Sequence, residues 1–254
     1  MAIVTTRIAR RPRAYVRVAG TDAEDLLQRM LSNDVSGAFC EALLLTPKAR
    51  VIAPLVVWRR GPEDFLLLTE PELGATVRSH LLRARLRSRC EIEPEEHTSS
   101  IVFGGEEGLP TADYGEPAVE VLDDAREPTL ADEELERLRI LAGTPRFGRE
   151  IDDRVLPAEA GLIEHAVSFT KGCYPGQEPV ARLHYRGHAN RGLRVLRLEG
   201  DKLPPYDAEL LCEGKAVGRV TSAARLPEGG IAALAYVRVE VPENAALDWI
   251  VLRP

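Results

Sequence analysis

Phe169-Thr-Lys-Gly-Cys-Tyr-Pro-Gly-Gln-Glu178 is the most informative stretch of this sequence of 254 residues. Pro175 fixes its own φ near the value that the second position of a tight turn needs, and Gly176 accepts the positive φ of the third position. The pair therefore predicts a type II turn. Such a turn would hold Cys173 and Tyr174 on a stiff loop outside the core strands.

Cys173 is the candidate functional residue of this loop. Lys171 lies two residues before it, and an ammonium close to the sulfur would favour the thiolate, the form that acts as a nucleophile or metal ligand. The other cysteines lie in apolar or strand-like contexts, where a free cysteine behaves as a small hydrophobic residue. We interpret them as structural; they are Cys40, Cys90 and Cys212.

The basic segment over residues 182–191 follows the loop. His184 and His188 have the i, i+4 spacing of a zinc pair on a helix, but Gly187 between them argues against a helix, and no carboxylate follows at a metalloprotease spacing. We therefore predict no metal site here, and a cationic strand and turn that faces either an anion or solvent. A hydrolase-type catalytic dyad of Cys173 with His184 is chemically possible, although the sequence shows no recognisable acid to orient the histidine.

The overall composition bounds the function. The chain has 33 basic and 40 acidic residues, a formal charge of −7, which argues against a general nucleic-acid binder but leaves room for a local basic patch. No apolar run reaches the roughly 18–20 residues that cross a bilayer. The four cysteines are widely spaced and no cleavable signal pattern occurs, so we expect a reducing, cytoplasmic location and no membrane partner.

Local patterns predict an α+β protein. Helical spacing indicates helices over about residues 22–31, 71–85 and 130–142. Strand-like runs fall at residues 14–18, 42–45, 51–58, 65–69, 86–92 and 118–122, the last inside a surface connection over 104–128. After Arg191, runs at residues 193–198, 209–211, 216–221, 231–237 and 249–252 predict a small antiparallel β-barrel.

Lys171-Gly-Cys-Tyr-Pro-Gly-Gln-Glu178 resembles the signature of the folate-binding YgfZ proteins, which belong to the superfamily of the glycine-cleavage T-protein, an aminomethyltransferase. Weaker blocks follow the family order along most of the chain. They are residues 18–28 with Ser32-Asn-Asp-Val35, Arg139–Gly148, Pro157–Gly161 and Gly218–Ser222.

The resemblance implies a three-part, ring-like fold with a central cavity for tetrahydrofolate or a one-carbon derivative, and a C-terminal antiparallel barrel. We expect a discontinuous α+β domain over residues 1–48 and 130–190, a ferredoxin-like α+β domain over 49–129 and the barrel over 191–254. The chain is expected to be a monomer.

The resemblance also implies roles for residues. Cys173 and Lys171 are assigned the reactive site. Glu159 is assigned to the pterin ring, whose adjacent N–H donors suit a carboxylate. The remaining cofactor contacts are expected at Tyr174, Gln177, Glu178, Arg182 and Asn33.

One departure from T-proteins bears on activity. T-proteins carry acidic residues, one of them catalytic, in the strand after the first hairpin, whereas this chain has Ala53 and Pro54 there. Without that carboxylate, aminomethyl transfer lacks its proton-handling group. This departure favours the YgfZ branch.

Three functions stay open. The first is a folate-dependent factor that supports assembly or repair of iron–sulfur clusters and has cluster proteins as partners. A single cysteine cannot hold a cluster that normally takes four ligands, so the cluster would be shared. The others are a folate-dependent one-carbon transferase and a non-catalytic scaffold that binds a partner through the Cys173 loop.

Overall fold

The elements below belong to a computed structural model, which describes residues 6–250. The strands, in chain order, are β1 (Ile8–Arg10), β2 (Ala14–Ala19), β3 (Phe39–Leu45), β4 (Val51–Gly61), β5 (Asp64–Thr69), β6 (Glu91–Glu95), β7 (Ser99–Phe103), β8 (Leu109–Thr111), β9 (Ala118–Leu122), β10 (Arg191–Leu198), β11 (Glu209–Cys212), β12 (Lys215–Arg225), β13 (Ile231–Arg238) and β14 (Asp248–Ile250). The helices are α1 (Ala23–Met30), α2 (Gly74–Arg85), α3 (Asp132–Ala142), α4 (Ile163–Ala166) and α5 (Gln177–Arg186), with a 3-10 turn over Pro71–Leu73 before α2.

The first sheet has the order β3-β4-β5-β2-β6. Alternate residues of β4, Ala53, Leu55 and Val57, are buried against α1 and α2. The helices predicted over 22–31 and 71–85 are confirmed as α1 and as the 3-10 turn with α2. The strand predicted over 86–92 is wrong in its first part, because Leu86 leaves α2 at a φ of 45° and β6 begins only at Glu91.

The second sheet has the order β1-β7-β9-β8. The predicted strand over 118–122 is confirmed as β9, whereas no pattern in the sequence predicts β7, and β8 lies inside the surface connection predicted over 104–128. All five residues of β7 are buried, and β1 and β9 pair with its two edges. Such a strand lacks the alternation that reveals a half-exposed one.

The third sheet has the order β10-β13-β12-β11-β14. It contains every strand predicted after residue 191, and residues 251–252 of the last prediction lie outside the described residues. Within residues 191–250, β10 and β14 are the two edge strands of this sheet. The predicted helix over 130–142 is α3, whose Ile140 packs against Leu234 of β13.

Helix α5 contradicts the strand and turn that we predicted for residues 182–191. Gly187 follows the last helical residue and therefore ends the helix instead of interrupting it. Pro179 lies in the first turn, where its missing N–H costs no hydrogen bond. No helix in residues 6–250 has the length and apolarity needed to cross a membrane.

The strand pairing can be compared with the expected domain boundaries. β3 and β4 pair as one hairpin across residue 48, so the first sheet joins residues on both sides of the boundary expected there. The third sheet begins at Arg191, where the last boundary was placed. The three-domain division itself stays a prediction.

Candidate functional site

The Cys173 loop has the predicted turn. Gly176 has φ 84° and ψ 2°, and the backbone N–H of Gln177 donates to the carbonyl of Tyr174 at 3.3 Å, as in a type II turn. A Cβ on Gly176 would lie 2.6 Å from the carbonyl oxygen of Thr46. The turn therefore packs tightly on the β3–β4 hairpin, and Cys173 lies exposed beside it.

The Lys171 ammonium is directed at α1. Its Nζ donates to the carbonyls of Gln28 and Leu31, each at 2.6 Å, and lies 5.3 Å from the centre of the Tyr174 ring. Burial lowers the pKa of Lys171 to about 8, against the opposing charge of Asp34. Cations favour the carbonyl end of a helix, so Lys171 serves as the cap of α1.

The expected contact between Lys171 and Cys173 is therefore not observed. Within residues 6–250 the Lys171 ammonium makes no hydrogen bond to the Cys173 sulfur. The thiol that does influence the ionisation of Lys171 is Cys40, which is half-buried at the start of β3. Burial raises the pKa of the Cys40 thiol to about 11.

Tyr174 and the first residues of α5 have different environments. Tyr174 is buried, and its hydroxyl has no hydrogen-bond partner within the described part of the chain. Burial raises the pKa of that hydroxyl to about 12. Gln177 is half-buried at the start of α5, whereas Glu178 and Arg182 are exposed on it.

Glu159 and Asn33 have structural partners. The Glu159 carboxylate accepts from the Arg191 guanidinium at 3.0 and 3.2 Å and from the backbone N–H of Leu156 at 2.9 Å. The Asn33 amide donates to the carbonyls of Glu41 at 2.8 Å and His165 at 3.0 Å, which ties β3 to α4. Each polar group is thus engaged within the chain.

A central cavity of about 610 Å3 opens where β1, α3 and the third sheet meet. This volume lies within the roughly 300–1,000 Å3 of small-molecule sites. None of the predicted site residues is among the described residues that line it. The lining residues are Arg10, Arg11, Pro12, Tyr114, Asp132, Glu133, Leu135, Glu136, Arg139, Arg146, Arg149, Leu203, Pro204, Tyr206, Thr221, Ser222 and Ala223.

The walls of the central cavity combine guanidinium groups, carboxylates and phenol rings. Arg11 is paired with Glu70 at 2.7 Å, which holds its guanidinium in place. Arg149 forms no ion pair among residues 6–250, and its guanidinium lies 5.8 Å from the centre of the Tyr206 ring. Such a donor set suits a flat molecule that carries a carboxylate.

Glu41 is a candidate functional residue that the sequence analysis missed. Its carboxyl is half-buried on β3 and has no hydrogen bond or ion pair within residues 6–250. Burial, and next the charge of Asp113, raise the pKa of Glu41, while His165 and Arg13 oppose the shift. An unpaired carboxyl with a raised pKa is typical of a group that exchanges protons. A glutamate in a strand gives no local signal of this environment.

Glu41 lies on the same face of the first sheet as Pro54, one of the two positions where T-proteins would have an acidic residue. Ala53 is buried on the face that packs against α1 and α2. Pro54 pairs with Leu43 and Val56 pairs with Glu41, so these four side chains share the opposite face. The structure thus places a carboxyl on the neighbouring strand, diagonal to Pro54.

No metal centre is found in this region. No group of three His, Cys, Asp or Glu side chains in residues 6–250 has an arrangement that would hold a metal ion. His184 lies on α5 and stacks on Phe169 with ring centres 4.2 Å apart.

Comparison with known proteins shows which proteins this chain is similar to. No family model matches the chain. A tRNA-modifying protein YgfZ from Escherichia fergusonii is 25% identical over 86% of this chain and 81% of its own length. The human mitochondrial iron-sulfur cluster assembly factor IBA57 is 27% identical over 82% of this chain and 71% of its own length. The chain is thus similar over most of its length to proteins named YgfZ and IBA57.

Two further comparisons concern the fold and the relatives of this chain. The glycine cleavage system aminomethyltransferase T from Bartonella henselae superposes with a TM-score of 0.81, covering 97% of this chain and 82% of that protein. Its 18% identity establishes the T-protein type of fold alone. An uncharacterised Haemophilus influenzae protein is 28% identical over 83% of this chain and 81% of its own length.

Proposed function

We propose that this protein is a member of the YgfZ family, binds a reduced folate in the central cavity and supports the assembly or repair of iron–sulfur clusters through Cys173. The observation that carries the proposal is the exposure of this thiol beside a rigid turn. Of the four cysteines, Cys40 and Cys212 are half-buried and Cys90 is buried, whereas Cys173 is exposed. A redox or ligand role requires access to the sulfur.

The names of the relatives support this choice of process. One relative is an iron-sulfur cluster assembly factor, and another is a tRNA-modifying protein. Cys173 offers one sulfur, and a cluster normally takes four protein ligands. We therefore assign the cluster to a shared site with a client or assembly protein, as cargo of this chain.

The lining of the central cavity fits a reduced folate. When bound, the folate would supply a pterin ring, nitrogen atoms that carry one-carbon units and an acidic tail. Asp132 and Glu133 of α3 offer carboxylates for the adjacent N–H donors of the pterin. Arg149 offers an unpaired guanidinium for the tail carboxylates. The folate contacts expected from the sequence, which include Arg182, stay a prediction.

Glu41 favours one-carbon transfer as the second candidate function. A carboxyl with a raised pKa holds a proton closer to neutral pH than an ordinary glutamate does, which suits general acid–base work. Its place beside Pro54 would compensate for the missing family acid. Production of a one-carbon folate by the wild type, lost in Glu41→Gln, would select this function.

Two readouts on the same variants test the proposed function. In cells that lack the protein, Cys173→Ser should fail to restore an iron–sulfur enzyme, whereas Cys212→Ser should restore it because Cys212 is half-buried in the third sheet. In calorimetry with tetrahydrofolate, both cysteine variants should bind like the wild type. Full rescue by Cys173→Ser would overturn the role of the thiol.

The same calorimetry locates the folate. Arg149→Ala should weaken binding by about tenfold or more, because a charged hydrogen bond contributes about 1.5–3 kcal/mol. Arg182→Ala removes an equal charge from α5, outside the cavity, and should leave the affinity unchanged. The reverse result would move the folate site to the Cys173 loop and α5, and absence of binding would overturn the folate role.

A further inference from the structure

Three aromatic rings meet at the surface beside α5. Phe169 and His184 are stacked, with ring centres 4.2 Å apart and planes inclined by 21°. Tyr185 meets both of them edge-on, at 5.6 Å from Phe169 and 4.8 Å from His184. The Tyr185 side chain is nevertheless 67% exposed, an unusual position for so large a ring. One ring is thus fixed by its neighbours and still open to solvent.

Two unpaired arginines share the face of α5 that carries Tyr185. Arg182, Tyr185 and Arg186 have i, i+3 and i+4 spacing, which places them on one side of the helix. Other arginines of the chain hold carboxylates, as in the pair of Arg13 with Glu120 at 2.9 Å. Arg182 and Arg186 have no ion pair in the described residues, although the chain is acidic overall.

We propose that this face of α5 binds single-stranded RNA. An unpaired base would stack on Tyr185, which the Phe169–His184 pair holds in place by edge contacts, and the phosphates would lie on Arg182 and Arg186. Aromatic platforms beside cationic side chains are the usual means of binding single strands, because every base has a π-face and every linkage has a charge. RNA is favoured over DNA because its loops present unstacked bases, whereas the bases of DNA are enclosed in a duplex.

The composition of the face argues against a docked protein. A protein interface needs an apolar centre that loses its water. The apolar residues of α5 are turned inward, with Val180 buried and Leu183 half-buried. The outward face offers one ring and two charges, and its acid, Glu178, is one turn before Arg182. The proposal is independent of folate and of Cys173.

Fluorescence anisotropy with a labelled 12-nucleotide oligo-U strand tests the proposal on the full chain. The wild type should bind the strand more tightly than a 12-base-pair RNA duplex, because paired bases cannot stack on a protein ring. Two phosphate contacts predict that log K falls with log salt at a slope of about −1.4. Tyr185→Ala should bind about 5- to 140-fold more weakly, and Tyr185→Phe should restore binding because it keeps the ring.

Two double variants distinguish specific binding at this face from a general attraction between arginines and polyanions. The double change Arg182→Gln with Arg186→Gln should reduce binding at least tenfold. Arg83→Gln with Arg87→Gln removes the same charge from the exposed end of α2, where no stacked rings occur among the described residues, and should leave binding unchanged. All these side chains are exposed, so thermal melting should not change.

Four results would overturn the proposal. The first three are equal loss of binding in the two arginine pairs, full binding by Tyr185→Ala, and competition by a 12-residue poly-glutamate peptide as strong as that of unlabelled oligo-U. The last result would reassign the face to an acidic protein partner. Failure of the wild type to bind the strand would equally reject it, and none of these results bears on the folate or on Cys173.

Discussion

Gly176 is the residue on which the geometry of the Cys173 loop depends most directly. It has a φ of 84°, in the left-handed region, and it lies close to the backbone of Thr46 and Ala49. A side chain there would be strained by its backbone angle and would also collide with the β3–β4 hairpin. The position of the Cys173 thiol, three residues earlier in the chain, therefore depends on the absence of a side chain at residue 176.

Gly176→Ala should lower the free energy of unfolding by about 1–3 kcal/mol, the cost of a non-glycine residue in a sparsely populated backbone region. Urea denaturation measures the change. Gly172→Ala is the matched control within the same loop, because no atom lies within 4 Å of its added Cβ. Equal effects of the two substitutions would show that the contact with Thr46 does not determine stability.

At the scale of elements, the β6–β7 connection is joined to the end of β9 by one histidine. The His97 ring lies between two carboxylates, 2.9 Å from Glu95 and 2.7 Å from Asp123. Burial alone would lower the pKa of His97, but these two partners raise it above its ordinary value. Arg60, and to a lesser extent His97, lower the pKa of Glu95 to about 2, so Glu95 stays charged at neutral pH.

The link through His97 should depend on pH. A histidine with a raised pKa in the folded state stabilises the protein fully below its unfolded pKa of about 6.5, and this contribution is lost as the pH rises through the folded value. His97→Gln should therefore lower the free energy of unfolding by about 1 kcal/mol at pH 5.5 and have little effect at pH 9.

Denaturation at the two pH values measures the effect of His97→Gln. His80→Gln is the control, because burial and then Arg83 lower the pKa of His80, which gives a pH dependence of opposite sign. A loss in His97→Gln that is the same at pH 5.5 and pH 9 would contradict the ionic link.

At the scale of the whole molecule, a buried charge network connects α3, the segment after it and the third sheet. Glu150 is fully buried and accepts from Arg139 at 3.0 Å and from Ser222 of β12 at 2.7 Å. The Tyr236 hydroxyl of β13 donates to the backbone carbonyl of Glu150 at 2.8 Å. This network borders the central cavity, since Arg139 and Ser222 also line it.

Glu150→Gln should lower the free energy of unfolding by about 1–3 kcal/mol, because it removes one of the two carboxylates that pair with the buried Arg139 guanidinium and leaves only the Glu136 pair at 2.7 Å. Asp25→Asn removes the same charge from an exposed pair with Arg29 at 3.0 Å and should cost less than about 1 kcal/mol. Guanidinium denaturation distinguishes the two. A small effect of Glu150→Gln would show that Arg139 is satisfied by its remaining partners.

The sequence correctly predicts those elements that are set by interactions between residues close together in the chain. The turn at Pro175–Gly176 and helices α1, α2 and α3 follow from neighbours within a few residues, and the sequence predicts them. The sequence does not predict strand β7, because burial on both faces removes its alternation, and it does not predict α5, because Gly187 ends the helix and does not interrupt it. Both errors concern context that lies outside the segment itself.

The sequence by itself determined the family motif, the exposed type of loop around Cys173 and the antiparallel character of the C-terminal third, because each depends on local conformational preference. The tertiary structure decided where the side chains go. Lys171 caps α1, Glu159 pairs with Arg191, and the central cavity draws its lining from segments far apart in the chain. Such contacts arise from the packing of distant elements, and no local pattern of residues encodes them.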